Sequence, residues 1–105
     1  MILNLPWPPK DLNPNSRSHW GTVARAKKKY RRECYYLALG TKADPENITI
    51  TFYPPRKGWD DDNAIAAFKA GRDGLADAWG IDDKHFRPRY VIGEPVKHGA
   101  VEVRA

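Results

Sequence analysis

Asn47 to Tyr53 alternates without a fault: Ile48, Ile50 and Phe52 fall on one side of an extended chain, and Thr49, Thr51 and Tyr53 on the other. Successive side chains of a strand point to opposite faces, so the segment reads as a half-buried strand. Its apolar side has to be covered, and this requirement organises the rest of the chain. Pro54-Pro55 ends the strand, and Arg56 to Trp59 forms a basic, aromatic, Gly-containing loop. Three more strands are expected. Ile2 to Leu5 is short and apolar and runs into Pro6, Pro8 and Pro9. Phe86 to Ile92 carries Pro88, which places it at an edge or makes its first half irregular. Ala100 to Arg104 alternates again, with Val101 and Val103 on one face and Glu94 to Gly99 as the preceding turn.

Two helices supply the cover. From about His19 to Leu39, the residues Trp20, Val23, Tyr30, Cys34 and Leu37 recur at helical spacing, and Gly40 is a natural stop. Lys27 interrupts that stripe, but its stem can pack while its ammonium reaches water. Ser16 or Ser18, at the end of an Asn- and Pro-rich loop, is the expected cap. The opposite face holds Arg25, Lys28, Lys29 and Arg32, which is either a solvated helix surface or a phosphate-contacting one. A second helix is expected from Asp61 to Trp79, with Ile65, Phe68, Leu75 and Trp79 as its apolar stripe. Gly71 and Gly74 weaken it and permit close packing, and Gly80 ends it. The expected order is β-α-β-α-β-β, an α/β (α+β) sandwich of helices on a small mixed sheet.

The chain of 105 residues makes one domain, and 41% hydrophobic residues suffice for a modest core. A domain this small is marginally stable alone, which makes a homodimer the expected assembly. No apolar run is long enough to span a membrane. Met1 to Pro9 lacks the charged and apolar regions of a signal peptide. Cys34 is the only cysteine, so no intrachain disulfide forms. The cytoplasm is the expected location.

Against a formal net charge of +5, Asp60-Asp61-Asp62-Asn63 stands out. Two carboxylates roughly 4 Å apart repel by about 4 kcal/mol at an effective dielectric of ~20. Exposed to water, such a run is a helix start favoured by the dipole. Partly buried, it needs protons or cations. Asp60 and Asp62, two apart in an extended junction, point to the same side and can share a divalent ion, while Asp61 points away. Asn63 caps the helix or fixes a carboxylate. Lys69, seven residues after Asp62, lies on nearly the same helical face about 10.5 Å along the axis, and its side chain leans back toward the acids. There it stabilises charge on a phosphate, or it is simply the i,i+4 partner of Asp73. Asp82-Asp83 follows Gly80 and must fold back to reach the first acids.

Other chemistries fit poorly. An EF-hand fails because Ala64 and Ile65 occupy its fifth and glycine positions. His19, His85 and His98 lack zinc spacing. Cys34 has no nucleophile motif around it, and no Gly-rich phosphate loop appears. Trp79 reads as a packing residue rather than a base-stacking platform, and Trp59, beside the acids, is open to either role.

Four pieces then occur in a recognisable order over nearly the whole chain: Leu5-Pro6-Trp7-Pro8-Pro9, Asp60-Asp61-Asp62-Asn63, Lys69-Ala70 with Asp73-Gly74-Leu75, and Asp82-Asp83. In this combination the chain resembles the RusA family of phage-type Holliday junction resolvases. The resemblance implies a homodimeric endonuclease that cuts four-way DNA junctions with Mg²⁺ or Mn²⁺. It implies that Asp60, Asp62 and Asp83 are the catalytic, metal-holding acids and Lys69 the catalytic lysine. The sequence departs from the family pattern in two places. The family lysine lies about one turn nearer the acids, where this chain has Ala66, and the usually apolar residue inside the acid motif is Asp61. Arg25, Lys28, Lys29, Arg32, Arg56 and Lys57 are the expected contacts to DNA phosphates. A nuclease preferring forks or flaps, and a non-catalytic nucleic-acid-binding module, are the alternative readings.

Overall fold

The computed structural model describes residues 1–105. Four strands, β1 (Ile2–Leu5), β2 (Thr49–Tyr53), β3 (Arg89–Ile92) and β4 (Ala100–Arg104), form one mixed sheet in the order β1-β4-β2-β3. β4 runs antiparallel to both β1 and β2, whereas β2 and β3 are parallel. A parallel pair needs a long crossover, and here it is helical. Pro88 precedes an edge strand, as its missing N–H requires.

Register sets the core. Leu5 lies opposite Val101, Val101 opposite Phe52, and Val103 opposite Ile50. Ile50, Phe52, Val101 and Val103 have no exposed surface. One face of the sheet is therefore apolar and covered, as the alternation in β2 demands. The other presents Thr49, Thr51, Tyr53 and Glu102, all half-buried.

The cover consists of α1 (Trp20–Ala38), α2 (Asp61–Ala67) and α3 (Lys69–Trp79). Tyr30, Cys34 and Ala38 of α1 meet Phe68 and Leu75 in the core. The Tyr30 ring stands edge-on to Phe68, and Phe68 edge-on to Phe52. The buried Tyr30 hydroxyl donates to the Pro6 carbonyl at 2.6 Å, which ties α1 to the segment after β1. At Gly74 the helices touch: a Cβ there would run into the Arg31 carbonyl oxygen. Gly80, at φ +65°, ends α3 in the left-handed region that glycine enters freely.

Several local expectations are corrected. The helix over 61–79 is two helices, because ψ opens to −4° at Phe68 and interrupts the turn. The cap of α1 is His19, whose Nδ1 accepts from the Gly21 N–H at 3.1 Å, and not Ser16 or Ser18. Those two hydroxyls bond each other, and Ser18 Oγ donates to Asp11 at 2.6 Å, which pins the preceding loop. The buried stripe of α1 ends at Ala38 rather than Leu37, and Trp20 is 79% exposed. β2 and β3 begin two and three residues later than the apolar patterns suggested, at Thr49 and Arg89.

Candidate functional site

Asp60 is the N-cap of α2. One of its oxygens accepts from the Asn63 N–H at 2.7 Å, and the other lies 3.4 Å from the Asn63 side-chain amide. Of the two roles expected of it, Asn63 takes the second: Asp60, not Asn63, caps the helix, and Asn63 contacts the capping carboxylate. Asp61 turns back onto the Asp62 N–H at 3.0 Å. Asp62 is exposed and belongs to none of the four salt bridges of the chain. A carboxylate without a protein partner, next to one held rigidly by a helix cap, is available to an outside cation.

Beside these acids lies a polar cleft of about 260 Å³, lined by Asn13, Asn15, Arg56, Lys57, Gly58, Trp59 and Asn63. Two short loops build it. The loop after η-turn Lys10–Leu12 brings the asparagines, and the β2–α2 loop brings the cations. Gly58 turns that loop at φ +97°. Trp59 packs edge-on against Trp7 at 5.1 Å and anchors the loop to the body. Arg56 and Lys57 are exposed there, so two cations and several amides sit next to three acids. Trp79 is likewise a packing residue, stacked on Phe86 and donating to Thr41 at 2.9 Å.

The second acidic pair turns back onto α3, where its partner is Arg72 and not the first acids. A short turn over Asp83–His85, capped by Asp82, directs Asp83 toward α3. Arg72 donates to Asp83 through one terminal nitrogen and to the Phe86 carbonyl, at 2.5 Å, through the other. Its guanidinium also lies 4.7 Å from the centre of the Phe86 ring, within cation–π range. The hydrogen bond and charge of Arg72, with Lys69 adding to them, hold the Asp83 carboxyl below the ordinary range. Burial pushes the nearby Tyr90 phenol up, against the pull of Arg72. Lys69 lies 3.7 Å from Asp73, so the i,i+4 pairing forms.

Asp60 and Asp62 share the start of α2, but Asp83 is engaged by Arg72. No group of three or more His, Cys, Asp or Glu side chains is arranged to hold a metal ion. Two carboxylates still suit a hard cation such as Mg²⁺, which commonly takes one or two from the protein and completes its shell with water and substrate phosphate. Asp60 and Asp62 are donors of the type such an ion takes, and Asp83 is engaged by Arg72 instead.

Of the expected basic face, Arg25, Lys29 and Arg32 are exposed on the outside of α1. Lys28 lies instead in a groove between α1 and the α2–α3 helices, with Lys27, Arg31 and Lys69. Arg72 escaped the sequence reading. Its signal was legible: it is the one charged residue at a position of the stripe Ile65, Phe68, Leu75, Trp79 that helical spacing makes apolar. Cys34 is fully buried, and burial pushes its thiol up to about 12, which leaves it no role as a nucleophile.

The fold and site define a small α+β domain with a polar, cation-lined cleft beside an acidic helix start. No family model matches the chain. An uncharacterized protein of Xylella fastidiosa (strain Temecula1 / ATCC 700964) is 42% identical over 105 residues, covering 91% of this chain and 69% of the relative. The chain belongs to one protein family with it.

Proposed function

We propose that the protein is a divalent-metal-dependent endonuclease acting on branched DNA, with the four-way junction as its substrate and a homodimer as its working form. The observation that carries this reading is the unpartnered Asp62 beside the fixed Asp60, at the edge of a cleft lined by Arg56, Lys57 and amide side chains. Acids and cations side by side suit a phosphodiester: the cations attract it and the carboxylates serve its hydrolysis.

Asp60 and Asp62 would hold Mg²⁺ or Mn²⁺, which when bound polarises the phosphate and acidifies an attacking water. Asn63 keeps Asp60 in one orientation. Arg56 and Lys57 bind the phosphates flanking the cut and orient the strand. Lys69 supplies positive charge on the side of the helix below Asp62. Arg72 keeps the segment around Asp83 close to α3. A dimer would present two such sites to one junction and cut it in pairs. The resemblance to the RusA resolvases supports the choice of junction over linear duplex.

The test is cleavage of a labelled four-way junction and of a linear duplex with the same arm sequence, in Mg²⁺, Mn²⁺ or EDTA. Paired nicks in the junction alone, lost in EDTA, are expected. Fork or flap cleavage in preference to the junction would move the substrate. Binding without cleavage in every metal would leave a non-catalytic DNA-binding module.

A further inference from the structure

The groove beside α1 has a composition that the polar cleft does not explain. It encloses about 470 Å³. Its floor is made of small residues, among them Ala24, Ala66 and Ala70, and Lys27, Lys28, Arg31 and Lys69 stand around it. Arg31 is already bonded to Asp77 at 2.7 Å, and Lys69 is near Asp73. Lys27 and Lys28 take part in no salt bridge. The two walls run in the same direction: Arg31 meets Gly74 and Asp77, while Ala24 and Ala66 share the other end. Trp20 lies one turn before Ala24 on the same face of α1, as Asp62 lies one turn before Ala66 on α2. One helical turn beyond the Ala24 end of the groove stands an indole that is 79% exposed. A solvated indole has no packing role in this fold, since its one aromatic neighbour is the exposed His19.

We infer that this groove is a track for one single strand of nucleic acid. Unpaired lysines, an apolar floor and an exposed aromatic ring beyond one end are the parts that bind single strands without regard to sequence: cations follow the phosphates and the ring stacks a base. A groove of about 470 Å³ between two packed helices takes one sugar–phosphate strand, its sugars over the alanines, whereas a duplex would rest only on the rim. The charge selects a polyanion, and the indole selects one that carries bases. That the strand continues from Trp20 toward Asp62 rests on the proposed cleavage reading; binding in the groove does not.

The test is a titration of fluorescein-labelled oligothymidylate, on the order of ten nucleotides, followed by anisotropy in EDTA at several salt concentrations. The natural chain should bind. Trp20→Ala should weaken binding about tenfold. Lys27→Ala with Lys28→Ala should flatten the log–log salt slope by about 1.4, as expected for two lost single-strand phosphate contacts. Ala66→Phe, which fills the groove while keeping every charge, should weaken binding as well. Trp20 and Ala66 are exposed, so both variants should retain the far-UV circular dichroism of the natural chain. No binding by the natural chain would overturn the inference. So would unchanged binding in both Trp20→Ala and Ala66→Phe, or equal competition by oligoglutamate, which would give the groove to an acidic protein. Oligothymidylate binding in EDTA without junction cleavage in Mg²⁺ would sink the cleavage reading and leave the track standing. Junction cleavage without oligothymidylate binding would do the reverse.

Discussion

Arg72 bonds Asp83 with one guanidinium nitrogen and the Phe86 carbonyl with the other, so a single side chain of α3 holds the whole turn between α3 and β3. The Arg72 side chain is only 17% exposed, while that of Asp83 is 72% exposed. The two ends of the contact therefore have different value. The Asp83 end is screened by water and contributes little to stability. The Phe86 end satisfies a carbonyl in a half-buried setting, and removing its donor costs about 1–3 kcal/mol. Arg72→Met should lower stability by about that amount in urea unfolding. Asp83→Asn, which leaves the Phe86 bond in place, should change it far less.

The same pair sets a pH dependence. The carboxyl of Asp83 is depressed in the folded state, mainly by the Arg72 hydrogen bond. A depressed carboxyl contributes stability above its unfolded value, about 3.9, and that contribution is lost as pH falls through the lower folded value. Urea midpoints of the natural chain and Asp83→Asn should converge below about pH 4. A difference that persists unchanged to the acid limit would show that the carboxylate's charge is not what matters.

The acidic start of α2 predicts unequal roles for two adjacent residues. Asp62→Asn should abolish junction cutting, by roughly a thousandfold for a loss of about 4 kcal/mol of charge stabilisation, and should retain junction binding. Asp61→Asn should cut normally, because Asp61 is turned onto its own neighbour's backbone. Single-turnover cleavage with Mg²⁺ checks both. Equal losses in the two would mean that local charge, not geometry, is at work.

Lys69 and Ala66 line the same groove, so a lysine at either position projects into one space. Lys69→Ala should slow cleavage, and adding Ala66→Lys to that variant should restore part of the rate. Failure of the second change to restore any activity would assign Lys69 a role tied to its own position, through Asp73 or Asp83.

Gly74 is required by the close approach of the helices. Gly74→Ala should destabilise by about 1–3 kcal/mol, the usual cost of overpacking, because its methyl would meet the Arg31 carbonyl, which belongs to the backbone and cannot rotate aside. Cys34 offers a matching probe of opening: with its thiol buried and pushed up to about 12, it should react with a disulfide reagent only as fast as the core unfolds. Prompt labelling in native buffer would contradict the packing of α1.

The sequence by itself determined the elements whose pattern is local. The alternation in β2 and β4 fixed which residues are inside, since a strand has a period of two and a one-residue slip would expose them all. Pro88 fixed an edge, and Gly80 a helix end. The three acids Asp60, Asp61 and Asp62 announced a charged helix start. The tertiary structure alone decided what those acids face. Asp82-Asp83 returns to α3 because the half-buried Arg72 receives Asp83, and nothing near Asp83 in the chain encodes that contact. Lys28 and Lys69 come from segments some forty residues apart, and they share a groove because Gly74 lets α1 approach α3. Trp20 fits the helical stripe by spacing but lies outside the core, 79% exposed in the first turn of α1. Periodicity registers a face; only packing decides whether anything lies against it.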